Sequence, residues 1–201
     1  MSTARDLVIV ALDVKPSRPL ERGDLSLALA GAETYDLLRA GTLTLDGDRI
    51  VPRPQPEPDD RLLHEAAASL RRQVPYETLQ DWLWRRGNGL TSAYLTALEQ
   101  EGRLTWERGR WLPVRGGCPV LADTPARRRA ACRWAADEPV LLTLAAAVGI
   151  LDEPATTEPG ITDDATLTVL AAVHDAVMEL EAVRQRRAIE DAAFANLWRG
   201  V

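Results

Sequence analysis

Few side chains in this chain of 201 residues have strong catalytic potential. There are two histidines, His64 and His174, and two cysteines, Cys118 and Cys132. Both histidines stand in apolar helical stretches, which favours a core or boundary role, and the cysteines have neither metal-ligand spacing nor a neighbouring histidine. The sequence contains no phosphate-binding Gly-rich loop, dinucleotide motif or paired-histidine zinc helix. We therefore predict a non-enzymatic protein with no metal site and no cofactor.

Tryptophan and arginine are the other residue types in this sequence that could form a binding site. The segment RLTWERGRWLPV, residues 103–114, places Trp106 and Trp111 on either side of a charged turn. A two-residue turn at Arg108-Gly109 would put the two rings opposite each other on one face of a hairpin. That aromatic pair would either cover the protein's own core or form a surface that binds a membrane or another protein.

The net charge of −6 is unevenly distributed along the sequence. Residues 1–81 contain 10 basic and 14 acidic groups, residues 82–134 contain 10 and 4, and residues 135–201 contain 4 and 12. The tryptophan segment thus lies in the only basic third of the chain. Clustered arginine indicates an anionic partner, although the negative net charge of the whole chain weakens long-range attraction toward such a partner.

The elements that must position these residues are mainly helical. Apolar spacing and capping residues predict helices over about residues 4–13, 24–40, 59–73, 76–86, 90–101, 126–137 and 140–150, and a pair of helices over about 163–198. Ser2 or Thr3 would cap the first helix and Asp24 the second. Residues 42–51 alternate around an Asp-Gly pair, which predicts a β-hairpin, and the tryptophan segment predicts another.

We therefore predict a mainly α fold, a single globular domain over residues 1–201 with two embedded β-hairpins. A Pro-rich connector over residues 52–58 and a loop over 152–162 separate its parts. The amino terminus has no signal-peptide pattern, and the longest apolar stretch, Pro139–Leu151, is shorter than the roughly 20 residues of a membrane-spanning helix. We expect a cytoplasmic protein.

A helix, a Gly stop and a hairpin are also the parts of a winged helix-turn-helix. The helix over residues 90–101 would then have to enter the DNA groove with its polar face. That face has no arginine, and Glu99 and Glu101 would repel phosphates. Nucleic-acid binding is therefore the least favoured alternative.

Several blocks of the sequence resemble the Golgi phosphoprotein 3 family. RLLHEAAASLRRQVPYETLQDWLWRR resembles its central signature through Leu62, Leu63, Glu65 and Ala66 and then Glu77, Thr78, Gln80 and Trp82. DLVIVALD, LAGAETYDLLRAGTLTLDGDRIV and LEQEGRLTWERGRWLPVRGGCPV are similar to flanking blocks in the same order. The resemblance covers about residues 4–151, and the chain is identified as a divergent member of bacterial type.

The resemblance implies a mostly helical cytosolic domain that binds membranes peripherally by recognising phosphatidylinositol 4-phosphate. In the family, a hydrophobic hairpin inserts into the bilayer or mediates self-association, and eukaryotic members help to retain glycosyltransferases in the Golgi. The family's four headgroup positions fall at Glu21, Ala30, Asn88 and Thr91 in an ungapped alignment. None keeps the family's residue type, which argues against specific headgroup recognition.

We predict a peripheral domain that binds an anionic, phosphoinositide-like membrane surface. The candidate lipid-binding residues are Arg22, Arg85, Arg86, Arg103, Arg108 and Arg110. The candidate membrane or partner hairpin contains Leu104, Trp106, Trp111 and Leu112. The same hairpin could instead bind a second copy of the chain or another cytosolic protein, and that alternative stays open at this point.

Overall fold

The computed structural model describes residues 2–54, 58–107, 118–151 and 160–199, and within these ranges the chain forms eight helices and four strands. The helices are α1 (Thr3–Asp13), α2 (Arg22–Arg39), α3 (Arg61–Ala68), α4 (Leu79–Gly87), α5 (Leu90–Gln100), α6 (Pro125–Ala135), α7 (Pro139–Ala147) and α8 (Asp164–Arg199). Two antiparallel pairs join β1 (Leu43–Asp46) with β2 (Arg49–Pro52), and β3 (Leu104–Glu107) with β4 (Cys118–Leu121). The predicted mainly α fold with two embedded hairpins is confirmed.

Helix α2 forms the centre of the core. It packs against α1, α4, α5 and α8, and every residue from Asp24 to Thr34 is buried. Its sequence LALAGA is rich in small side chains, which let neighbouring helices approach closely. The closest approach is at Gly31, where a Cβ atom would overlap Val173 Cγ2 of α8.

The pair of helices predicted near the carboxyl end is wrong, because α8 is one continuous helix. No glycine or proline interrupts residues 164–199, so the backbone has no reason to break. Val169, Val173 and Ala176 are buried in the first half of α8, which packs against α2, α4 and α7. Residues 185–191 are all exposed.

The start of α1 is as predicted and the start of α2 is not. Ser2 caps α1, and its side chain accepts a hydrogen bond from Arg5 N at 3.3 Å. Helix α2 begins two residues earlier than expected, with Glu21 at its cap position and Asp24 inside its first turn. The Asp24 carboxylate is buried and accepts from Arg184 of α8, so it is used for a tertiary contact instead of a cap.

The predicted β1–β2 hairpin forms with a two-residue loop, but the loop is Gly47-Asp48 and not the predicted Asp46-Gly47 pair. Gly47, at φ +60°, occupies the first loop position, where a type II′ turn takes glycine. Pro52, predicted to open the connector, ends β2, and residues 55–57 of that connector lie outside the described residues. Most of the predicted loop, residues 152–159, lies outside them as well. No helix in the described part of the chain is both long and apolar enough to cross a membrane.

The strand that pairs with β3 lies further along the chain than predicted. Trp106 pairs with Pro119, so the returning strand is CPVL, whereas RWLPV was the predicted partner. This register pairs Leu104 with Leu121, and both side chains pack on the core. Burial of this apolar pair explains why the more distant segment completes the ladder. Residues 108–117, and with them Arg108, Arg110, Trp111 and Leu112, lie outside the described residues.

Candidate functional site

Arg86, a predicted lipid ligand, makes buried contacts inside the protein. Its Nε and Nη2 donate to the two carboxylate oxygens of Glu33 at 2.7 and 2.9 Å, and Nη2 also donates to the carbonyl of Leu62 at 3.0 Å. The Tyr94 hydroxyl donates to the same carboxylate at 3.0 Å. Glu33 is fully buried, and this desolvation raises its pKa although both donors oppose the rise. Arg86 therefore links α2, α3 and α4.

Arg85 is also engaged within the fold. It donates through Nε and Nη2 to the two carboxylate oxygens of buried Glu77 at 2.7 and 2.6 Å. Its guanidinium carbon lies 5.0 Å from the centre of the Trp82 ring, within cation–π distance. A lipid phosphate would have to displace both contacts to bind this side chain.

Three further arginines of the basic third also pair with carboxylates of the protein itself. Arg127 Nη2 lies 2.5 Å from Asp13, and Arg133 Nη1 and Arg129 Nη2 lie 2.7 and 3.3 Å from Asp6. These carboxylates belong to the acidic first third, so folding neutralises much of the charge imbalance seen along the sequence. Counting charges by position misses this, because the partners are more than a hundred residues apart.

The hairpin side chains divide between core and surface. Leu104 and Trp106 share one face of β3, where Leu104 is buried and Trp106 is 38% exposed. Trp106 does not belong to the apolar cluster that packs on the core. Arg103 is half-buried beside this hairpin, with Nε 3.1 Å from the Glu101 carboxylate.

Arg22 borders a cleft of about 360 Å³ between the amino-terminal ends of α2 and α5, which we call the Arg22 cleft. Its lining also includes Trp84, Asn88, Thr91, Ser92 and Leu180. Three hydrogen bonds hold the helix ends together. Thr91 N donates to Ser26 Oγ at 3.1 Å, Thr91 Oγ1 donates to the Arg22 carbonyl at 3.0 Å, and the hydroxyl groups of Ser26 and Thr91 are hydrogen-bonded at 2.8 Å.

The two helix ends at this cleft differ from the others in the described chain. Glu21 and Gly89, at the cap positions of α2 and α5, form no side-chain capping bond. The remaining six described helices begin at capping side chains, namely Ser2, Asp60, Thr78, Thr124, Glu138 and Asp163. The positive ends of two helix dipoles thus adjoin the cleft, and the Arg22 side chain has no ion pair with any described residue.

A comparison with protein families shows to which family the chain belongs. The model of the Golgi phosphoprotein 3 (GPP34) family matches residues 4–192. The chain belongs to the Golgi phosphoprotein 3 family. A search of curated proteins gave no match.

The four positions that were predicted to correspond to the headgroup site of the Golgi phosphoprotein 3 family are Glu21, Ala30, Asn88 and Thr91. Asn88 and Thr91 line the Arg22 cleft, and Glu21 directly precedes Arg22, so three of the four positions do come together. Ala30 is fully buried inside α2 and cannot contact a ligand. Half-buried Trp84 gives the cleft an aromatic wall from α4, which the sequence did not reveal because no motif marks this position.

Three further features concern possible metal ligands, the two histidines and the acidic residues at the end of α5. Among the described residues, no group of three or more His, Cys, Asp or Glu side chains could hold a metal ion. His64 is half-buried on α3, as expected for a boundary residue, whereas His174 is exposed on α8 against the prediction. Glu99 on α5 and Glu101, the cap residue that follows this helix, are exposed, which again disfavours DNA binding.

Proposed function

We propose that this protein is a non-enzymatic peripheral membrane domain that binds anionic lipid without selecting one headgroup. The observation that carries the proposal is the exposure of Trp106, whose side chain is 38% exposed. Leu104, two residues earlier on the same face of β3, is buried in the core. Tryptophan is favoured at the level of lipid headgroups, where its ring and its N–H group meet different environments. Membership of the Golgi phosphoprotein 3 family supports the same function.

The Arg22 cleft supports binding of negative charge. Arg22 is exposed and forms no ion pair with a described carboxylate, and the amino-terminal ends of α2 and α5 add positive potential. Since the family's headgroup side chains are replaced at Glu21, Ala30, Asn88 and Thr91, the cleft lacks the arginines for a specific phosphate pattern. Attraction to any anionic surface is the result we expect.

The hairpin and the cleft flank the same helix. Helix α5 begins at the cleft and ends just before β3, and its 11 residues span about 16 Å. Each arginine near an anionic surface contributes about 1 kcal/mol, and salt screens that contribution. We therefore expect weak binding that decreases as ionic strength rises.

Arg22→Gln is expected to lower the partition coefficient on anionic vesicles about fivefold at low salt, because it removes one cation worth about 1 kcal/mol. The measurement is flotation with phosphatidylcholine vesicles that contain or lack phosphatidylserine, at two ionic strengths. Arg72→Gln, which removes an exposed arginine outside the cleft, is the matched control and should change binding little. Equal losses in both variants would remove the cleft from the proposal.

The hairpin is tested separately with Trp106→Ala. We expect weaker binding to anionic vesicles with no change in the molecular mass measured by light scattering. A lower mass with unchanged vesicle binding would instead identify the hairpin as a protein interface. If the wild-type protein does not float with anionic vesicles even at low salt, the proposed membrane function is wrong.

A further inference from the structure

Arg184 of α8 lies beside the start of α2, next to the Arg22 cleft but not among the residues that line it. Leu180, one turn earlier on α8, lines the cleft directly. Arg184 in turn reaches the first turn of α2, where it contacts Asp24 and approaches Glu21, the residue before Arg22. Helix α8 therefore brings a second guanidinium to the place where α2 begins.

The two ends of this guanidinium are held differently. Nη2 donates to both carboxylate oxygens of buried Asp24 at 2.7 and 2.9 Å. Nη1 lies 3.9 Å from the nearer Glu21 oxygen, beyond hydrogen-bond distance. Within the described part of the chain, Nη1 donates no hydrogen bond. Asp24 thus fixes the position of the side chain and leaves one of its donor groups available.

We propose that Arg184 is the second cationic ligand of the Arg22 cleft, and that Glu21 competes with a lipid phosphate for its Nη1 group. This inference rests on the proposed binding of anionic lipid. A planar guanidinium that is already oriented by one carboxylate is well suited to donate to a phosphate oxygen. The ligand class is the anionic phosphate of a lipid headgroup.

Glu21 limits this binding through its charge. Its side chain is 59% exposed, so it can move away, but its carboxylate both attracts Arg184 and repels a phosphate. In the wild-type protein Arg22 and Arg184 are balanced by Glu21 and Asp24. Removing the Glu21 charge leaves one net positive charge among Arg22, Arg184 and Asp24 and releases Nη1.

Glu21→Gln is therefore expected to increase partition onto phosphatidylserine-containing vesicles about fivefold at low salt, with less gain at high salt. Glutamine should not disturb α2, because Glu21 forms no capping hydrogen bond. Asp175→Asn removes the same charge from an exposed position of α8 outside the cleft and should leave binding nearly unchanged.

A second experiment tests whether the gain in binding from Glu21→Gln depends on Arg184, by introducing Glu21→Gln into a variant that lacks the Arg184 side chain. Arg184→Gln alone would leave Asp24 buried without its cation, so it is combined with Asp24→Asn, which keeps the net charge of the wild type. We expect Glu21→Gln to produce little gain in this background. Thermal unfolding of each variant checks that all are folded.

Flotation compares four proteins: the wild type, Glu21→Gln, the Asp24→Asn/Arg184→Gln variant, and the variant that combines all three substitutions. A gain from Glu21→Gln in the wild-type background alone supports the assignment of Arg184. An equal gain in both backgrounds, or none in either while the wild type still binds, overturns that assignment and leaves the proposed function standing. If none of the four binds, the proposed function and this inference fail together.

Discussion

Arg86→Met is expected to destabilise the protein by about 3–5 kcal/mol, because it leaves the Glu33 carboxylate buried without its cation. Glu33 is fully buried, and Arg86 supplies two of the three side-chain hydrogen bonds that it accepts. The substitution also leaves the Leu62 carbonyl without the donation from Nη2. Urea-induced unfolding measures the change in the free energy of unfolding.

Two variants control this experiment. Arg72→Met removes an exposed arginine and should change stability by no more than about 0.5 kcal/mol. Combining Glu33→Gln with Arg86→Met removes the unpaired charge and should recover part of the loss. If Arg86→Met costs no more than Arg72→Met, the buried ion pair does not stabilise the fold as we infer.

The loss of stability in the Arg86→Met variant is expected to depend on pH. Burial raises the pKa of Glu33 above its ordinary value of 4.5, and loss of Arg86 removes a contact that opposes this rise. A group with a raised folded-state pKa favours the folded state most at pH values below its unfolded pKa, and this advantage disappears as pH rises through the folded pKa. The stability difference between wild type and Arg86→Met should therefore shrink as pH falls from 7 toward 4.5. A constant difference would contradict the protonation argument.

Gly31→Ala is expected to destabilise the protein by about 1–3 kcal/mol, although alanine is the better helix former by about 1 kcal/mol. The added Cβ would overlap Val173 Cγ2 at the contact between α2 and α8, where a buried β-branched side chain has little freedom to move. Urea-induced unfolding again gives the free-energy change.

Gly23→Ala is the matched comparison, because it lies on the same helix against the same partner. Its Cβ would lie 2.8 Å from Leu180 Cδ2, the end of a half-buried side chain that can rotate away. We expect a smaller loss there. Val173→Ala should relieve the overlap in the Gly31→Ala background, and a stabilised Gly31→Ala single variant would show that α8 adjusts easily.

Local patterns predicted much of this fold. Leu90, Tyr94, Ala97 and Leu98 recur at helical spacing in the sequence and are all buried on α5. The existence of the β1–β2 hairpin was predicted from its own turn residues, although its loop, Gly47-Asp48, lies one residue later than the Asp-Gly pair that predicted it. The β3–β4 register does not follow in this way, because burial of Leu104 with Leu121 decides it across a long connection.

The candidate site was only partly predictable. Arg22 was found because it neighbours a position aligned with the family's headgroup site. Arg85 and Arg86 have the residue type of lipid ligands, but nothing near them in sequence indicates that Arg86 pairs with Glu33, 53 positions away. Arg184 was missed for the same reason, since it lies 160 positions from Asp24. Such pairings are set by how helices pack, which local sequence does not encode.

The ion pairs of Asp6 also constrain when the fold can be completed. A ribosome releases the amino-terminal end first, so α1 emerges with an acidic side chain that must be fully buried in the finished protein. Its cations, Arg129 and Arg133, are synthesised more than 120 residues later. We expect nascent chains that end before α6 to leave α1 undocked, so α1 is made well before α6 but docks only after α6 has been made.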